Sequence, residues 1–483
     1  MVSLFAAQFK NRTSQSRFRP AIRVWYPSIL GSRHLGCRFA RRRQTQACTA
    51  KPRGNRGGRT VRPAEKKTDN TMHNVICRIR SGGWLTNERM AAYAWILLIC
   101  ELLGFAFFVA GTHGLIVPLP HPTSSDFVGY YAAGRLADAG HGWLAYDQVA
   151  HYAAEQQATE PGIGDNLFYY PPVFLLICAL VARLPYLCAF IAFETGGLAV
   201  CLLAVRGILR DTRLVFLLAF PAVFWTFGTG QNAFLTAALF GAATLNIDRR
   251  PIVAGLLFGA LCYKPHFGLL IPIALLAGGH VRAFAAAAAS AVVLVGLSGW
   301  IFGWESWSAF LHAAASSQSA YTSRADIAGL ASPFGAMLAL GQQQWRAGIA
   351  QAIVTLGAAV LVGLVWRRRL SLPIRAAVLL AATPVAVPFF QFYDLLLAGV
   401  AIAWLVRAGL ASGFAPWTKT LLAVSYVLPL LSGNLGGVDH WLIAPATAAL
   451  VFSLAATAVW RELKIQRSVP WRMAEASSMG SKL

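Results

Sequence analysis

From about Ala91 to Trp460 the chain alternates long apolar runs with short breaks of glycine, proline, arginine or a few amides. Backbone in hydrocarbon must satisfy its own N–H and C=O groups, so runs of this kind read as membrane helices. The pattern predicts spans near 91–117, 185–206, 212–228, 231–247, 251–263, 265–278, 281–302, 346–366, 374–390, 392–407, 417–432 and 440–460. Several fall short of the roughly 20 residues that a full crossing needs, notably the pair hinged at Lys264-Pro265. Two further apolar pieces, 171–183 and 327–341, read as short or re-entrant helices. Between the first two spans lies a loop, 118–170, that predicts two short helices. In one, Asp126, Tyr130, Ala133 and Ala137 share a stripe; the other runs from Gln148 to Ala158, after the Gly140-His141-Gly142 break. The expected fold class is therefore an all-α polytopic membrane protein with about 10–13 transmembrane helices and a small helical first extracytoplasmic loop.

Composition agrees. The 483 residues are 57% hydrophobic and 13% charged, with a mean hydropathy of +0.54, outside the range of soluble chains. The net charge of +23 would suggest a nucleic-acid partner, but residues 1–90 hold 20 Lys/Arg against 3 Asp/Glu and so carry most of it. This segment reads as a basic, disordered N-terminal arm drawn to anionic lipid, or as an over-extended start before Met72 or Met90. It lacks the interleaved aromatics of a nucleic-acid platform. Residues 91–465 form the transmembrane domain and 466–483 a cytoplasmic tail. The eight cysteines have no metal-ligand spacing, so neither a disulfide nor a metal site is expected.

Placing the arm in the cytoplasm puts seventeen Lys/Arg of the later loops on that side and five on the other. By the positive-inside rule both termini are then cytoplasmic. On the opposite side fall the Asp126 stretch, Tyr170-Pro171-Pro172, Gly230-Gln231-Asn232, Tyr263-Lys264-Pro265-His266 and Tyr393-Asp394. Amides, tyrosines and single charges set in apolar sequence are what a hydrogen-bonding site near a membrane interface requires. Taken alone, Asp126 is equally an acid in the first turn of a helix capped at Ser124 or Ser125.

The residues Asp126-Phe127, Tyr130-Tyr131-Ala132-Ala133-Gly134, Leu144-Ala145-Tyr146-Asp147, Tyr170-Pro171-Pro172, Gly230-Gln231-Asn232, Lys264-Pro265 and Tyr393-Asp394-Leu395 occur in this order. In that order, and at these positions relative to the spans, they resemble glycosyltransferase family 87. This is a GT-C-type group that includes mycobacterial mannosyltransferases using polyprenol-phosphate mannose. The resemblance covers roughly residues 91–460. It implies a GT-C-type fold and an inverting transferase of the plasma (inner) membrane whose site faces the periplasm. The implied donor is a polyprenyl-phosphate-linked sugar and the implied acceptor a lipid or glycan. Asp126 matches the family's essential aspartate. Late in the chain the mycobacterial members carry a histidine-bearing motif where this sequence has Phe392-Tyr393-Asp394, which leaves the acceptor and the donor sugar open.

Transfer from a phosphate-linked sugar needs a base for the acceptor hydroxyl and donors or cations for the departing phosphate. Asp126 is the candidate base, and Lys264 and Arg135 are the candidates for the phosphate, with Arg183 in reserve. Gln231 is placed as a sugar ligand and Asn232 as a ligand or a helix cap. His266 is a candidate for proton traffic, and Asp394 with Tyr393 for positioning the acceptor. Tyr130, Tyr131 and Tyr170 can stack on sugar faces or belong to an interfacial aromatic belt. There is no Asp-x-Asp pair, P-loop or dinucleotide fingerprint, so no metal, cofactor or nucleotide-sugar donor is required. A transporter or flippase would also explain the spans, but the chain shows no internal repeat and its polar groups gather on one face.

Overall fold

The computed structural model describes residues 65–111, 125–316, 329–432 and 442–480. Two compact units divide at Thr71/Met72, and the second, 72–483, carries everything discussed below. Its described residues are mostly helical, and an isolated bridge between Leu330 and Gln391 is the one β-type pairing among them. In chain order the helices are α1 (Glu65–Ser81), α2 (Asn87–Gly111), α3 (Phe127–Asp138), α4 (Gln148–Ala158), α5 (Pro172–Val181) and α6 (Tyr186–Ile208). There follow α7 (Pro221–Thr229), α8 (Ala233–Asn246), α9 (Pro251–Gly259), α10 (Ile271–Ala277), α11 (Val281–Phe302) and α12 (Trp304–Ser316). The last are α13 (Pro333–Ala339), α14 (Gln344–Arg367), α15 (Leu372–Ala386), α16 (Leu396–Ser412), α17 (Thr418–Val427) and α18 (Ile443–Gly480). Among the described residues six segments are long and apolar enough to cross a membrane: 87–107, 186–208, 281–302, 344–367, 392–412 and 443–466. Shorter apolar helices lie between them, so the protein is a polytopic membrane protein.

Proline sets many of the starts. Pro172, Pro221, Pro251 and Pro333 each open a helix, where a missing N–H leaves no bond unmade. The hinge at Lys264-Pro265 is built from two 3₁₀ turns, Ala260–Tyr263 and Pro265–Gly268, so the short pair on either side is a broken helix rather than two spans. Gly255 and Gly259, four apart on α9, let its backbone touch α11, since a Cβ on either would overlap the carbonyl of Ala283 or Ala287. Small residues at that spacing are how membrane helices approach closely. The deepest packing surrounds α15, buried from Ile374 to Ala386, and the first half of α16, from Leu396 to Leu405.

Two boundaries depart from the sequence reading. Part of the arm expected to be disordered is helical: α1 begins at Glu65, with Met72, Val75, Ile76 and Ile79 at helical spacing amid charges. Its end docks on the first turn of α17, where Trp84 Nε1 donates to Thr420 Oγ1 (3.1 Å) and the Thr420 hydroxyl donates to the Ile79 carbonyl (2.7 Å). Residues 1–64 lie outside the described residues. At the other end, α18 runs to Gly480, through most of the expected tail. No disulfide joins the described cysteines.

Candidate active site

Asp126 is fixed by the turn between α7 and α8. Gly230 ends α7 in the left-handed conformation (φ 70°), and a Cβ there would stand 2.8 Å from Cβ of Phe127. Only glycine meets both demands. The Asp126 N–H donates to the Thr229 carbonyl at 2.8 Å, joining the start of α3 to this turn. Asp126 stands at the N-cap position of α3 but makes no capping bond with its side chain. Its carboxylate instead accepts from Gln231 Nε2 at 2.7 Å. Asp126 thus does stand at a helix start, as the sequence allowed, but its side chain is bonded to Gln231 rather than to the first turn of α3.

The Gln231 amide is locked in orientation. Its Oε1 accepts from the Tyr130 hydroxyl (2.5 Å) and more weakly from that of Tyr170 (3.3 Å), and the two hydroxyls lie 2.9 Å apart. With both tyrosines donating to the oxygen, the nitrogen must face Asp126. Burial pushes the Asp126 carboxyl above the usual aspartate range, and the Gln231 hydrogen bond draws it partly back. Burial likewise holds the hydroxyls of Tyr130 and Tyr170 protonated, so they remain donors.

Tyr170 ties this group to a second one. The Lys264 ammonium lies 5.8 Å from the centroid of the Tyr170 ring, 5.0 Å from that of Phe267 and 5.9 Å from that of Tyr393. It donates to Asp394 Oδ1 at 2.8 Å, and both side chains are about 4% exposed. Lys264 thus does not snorkel to the interface. A buried charge of either sign is tolerable here because the other neutralises it. The 3₁₀ turn Phe392–Leu395 presents Asp394, and that turn is held by pairing to 329–331, with Phe392 N–H donating to the Gly329 carbonyl at 2.7 Å.

Asn232 is buried beside the cluster. It precedes α8 but makes no cap bond, contrary to the capping role weighed for it, and neither amide atom has a hydrogen-bond partner. The Tyr170 hydroxyl is close enough to feel it. A buried amide in this state can still donate and accept beside the cluster of polar groups.

Three expected residues are not brought in. Arg135 is exposed at the far end of α3. Tyr131 is buried, but its hydroxyl donates to the Leu184 carbonyl and its ring packs on Tyr186. His266 is exposed and meets Phe267 edge-on. Arg183, held in reserve, makes a surface pair with Asp138 at 2.9 Å. Two clefts lie elsewhere. One of about 280 Å³ runs between α17 and α18, and one of about 420 Å³ is lined by Arg210, Arg249 and Arg407.

The helices that present the cluster share one polarity. Asn232 precedes α8, which ends before Arg249-Arg250; α9 begins after Arg250 and leads to Lys264; Asp394 precedes α16, which carries Arg407 toward its other end. Site and arginines thus occupy opposite ends of these helices. There an Arg375 guanidinium pairs with Asp248 through two bonds of 2.9 and 2.7 Å and contacts His280.

Neither the curated proteins nor the solved structures give a significant match to this chain. The matched region that does exist covers Tyr170, Gln231, Asn232 and Lys264, with Asp126 before it and Asp394 after it. Residues 168–388 match the model of glycosyltransferase family 87, the family that the order of motifs resembles, and this marks the polytopic protein as a membrane glycosyltransferase.

Proposed function

We propose that the protein moves a hexose, mannose-like, from a polyprenyl-phosphate-linked donor to a lipid or glycan acceptor, with Asp126 as general base. The observation that carries this reading is the Asp126 carboxylate itself. It is not spent on a cap, it is aimed by Gln231, and Tyr170 links it to a buried ammonium. In this reading the acceptor hydroxyl gives its proton to Asp126 as its oxygen bonds the anomeric carbon. The bond from that carbon to the phosphate oxygen breaks, and the polyprenyl phosphate leaves with the electron pair. Lys264 stands where it can hold that phosphate, Asn232 can bind sugar hydroxyls, and Asp394 with Tyr393 positions the acceptor. Raising the carboxyl above its usual range makes Asp126 a stronger proton acceptor when ionised. The arginine-bearing ends face the cytoplasm by the positive-inside rule, with both termini, so the site opens to the periplasmic side of the plasma membrane.

Asp126→Asn tests the assignment. An asparagine oxygen still accepts from Gln231, so the fold and donor binding are retained, while loss of the base lowers turnover about 10²–10⁴-fold. The assay is sugar transfer by purified protein from a polyprenyl-phosphate mannose to an extracted lipid acceptor. Turnover within a few-fold of the unmodified protein would remove Asp126 as base.

A further inference from the structure

Against Gly129 of α3 lies a second polar cluster that the proposed transfer does not use. His151 and Glu155 lie one turn apart on α4, 1% and 0% exposed, and Asp165 comes from the segment that follows. The ligand atoms of the three lie within 4.8 Å of one another. His151 Nε2 lies 3.0 Å from the Gly129 carbonyl, an acceptor, so that nitrogen carries the proton. The other nitrogen, Nδ1, then presents a lone pair. It faces Glu155 Oε1 at 3.8 Å, too far for a hydrogen bond, and both atoms are buried without a hydrogen-bond partner. Glu155 Oε2 is occupied by the Asn166 N–H at 3.1 Å, which fixes the carboxylate with its free oxygen toward the histidine.

Two buried lone-pair atoms turned toward each other leave room for something positive between them. We propose that His151 Nδ1, Glu155 and Asp165 form a divalent-cation site, with Zn²⁺ as the ion the donor set fits. One imidazole and two carboxylates suit a borderline ion of this kind. Ligands bound at about 2.0–2.2 Å stand about 3.3–3.6 Å apart at a tetrahedral angle, so the 3.8 Å pair needs little closing. Asp165 is at the surface, bonded through Oδ2 to Gln148 Nε2 at 2.7 Å, and a rotamer change brings it in. The bond from His151 to a backbone carbonyl is the outer support that metal-bound histidines characteristically have. Burial lowers the affinity of this imidazole for a proton, which keeps Nδ1 available to a metal. An ion here would fasten α4 and the 163–168 segment to α3 through Gly129, three residues after Asp126. In sequence the site is a His-x-x-x-Glu pair and an aspartate ten residues on, without the cysteines that make zinc spacings conspicuous.

The test uses the full chain in detergent micelles, in a Cys77→Ser background so that the Cys77–His73 contact contributes no thiol ligand. Zn²⁺ is the probe. After exposure to Zn²⁺ and desalting, elemental analysis is expected to find one retained equivalent, with a rise in the unfolding temperature. Asp165→Asn, a surface change that leaves the fold intact, weakens binding at least tenfold. Glu155→Gln abolishes the retained equivalent, and Asp126→Asn keeps it. Less than one retained equivalent in the parent overturns the site. So does equal retention by the parent, Asp165→Asn and Glu155→Gln.

Discussion

Replacing Gln231 by methionine separates what Asp126 is from how it is held. Methionine keeps the length of the side chain but cannot donate, so the 2.7 Å bond to Asp126 is lost. Tyr130 and Tyr170 keep each other at 2.9 Å, so no hydroxyl is left stranded. A hydrogen bond to a charged group contributes about 1.5–3 kcal/mol, and 1.36 kcal/mol corresponds to one pH unit. The ionised form of Asp126 gains more from this bond than the protonated form does, so its removal raises the pKa further, by at most about one to two units. The base acts when ionised. Turnover is therefore lost as pH falls through a pKa that burial already holds above the ordinary range, and in Gln231→Met that loss begins at a pH higher by up to that shift. On the acid side the variant is slower by at most roughly tenfold to a hundredfold, while at alkaline pH the two converge apart from any loss of orientation. The assay is the pH dependence of sugar transfer at saturating donor. An acid limb that stays in place, or moves to lower pH, would refute the role of Gln231 and weaken that of Asp126 as base.

The other expectations are shorter. Lys264→Met strands Asp394 in a buried setting and destabilises by about 3–5 kcal/mol. Adding Asp394→Asn recovers much of the thermal stability but not the transfer rate, and a double variant with normal turnover would make the pair purely structural. Gly230→Ala forces an L-residue to φ 70° and pushes a methyl against Phe127. It should lower stability by at least about 1–2 kcal/mol in thermal unfolding and cut turnover with it, because the same turn aims Asp126 and Gln231. Deletion of residues 2–71, up to the boundary of the second unit, leaves transfer in a membrane preparation unchanged, and a dead truncation would give the arm a role in catalysis.

Six of the twelve expected spans recur among the described residues as long apolar helices, because a crossing helix has to be long and apolar and hydropathy reports both, whereas pieces such as 251–263 and 265–278 are too short. The start of α1 was not legible, because its four apolar positions sit among lysines, aspartate and arginines that average out to a polar segment. Within the site, the stripe of Asp126, Tyr130, Ala133 and Ala137 was correct, and the same periodicity contained a warning about two of its neighbours. Nine residues at 100° each carry Arg135 to the opposite face from Asp126, and five carry Tyr131 about 140° away. The structure leaves both outside the cluster. The pairing of Lys264 with Asp394 spans 130 residues, a contact that no local pattern encodes. Asn232 looked like a cap because it precedes a helix, whereas the turn at Gly230 directs its side chain into the protein interior instead.

The ammonium of Lys264 has three N–H directions, and its bond to Asp394 takes one. Among the described residues the others meet only the faces of aromatic rings, which attract a cation without occupying its protons. A phosphate oxygen arriving at this cup can therefore bond Lys264 while Asp394 stays in place. Before it arrives, lysine and aspartate cancel, and the bilayer sees no net charge. Once it binds, the three groups carry a net negative charge that rises as the phosphate departs. Under the proposed polyprenyl-phosphate chemistry the resting enzyme is electrically quiet, and the charge that needs stabilising would enter with that donor and leave with its phosphate.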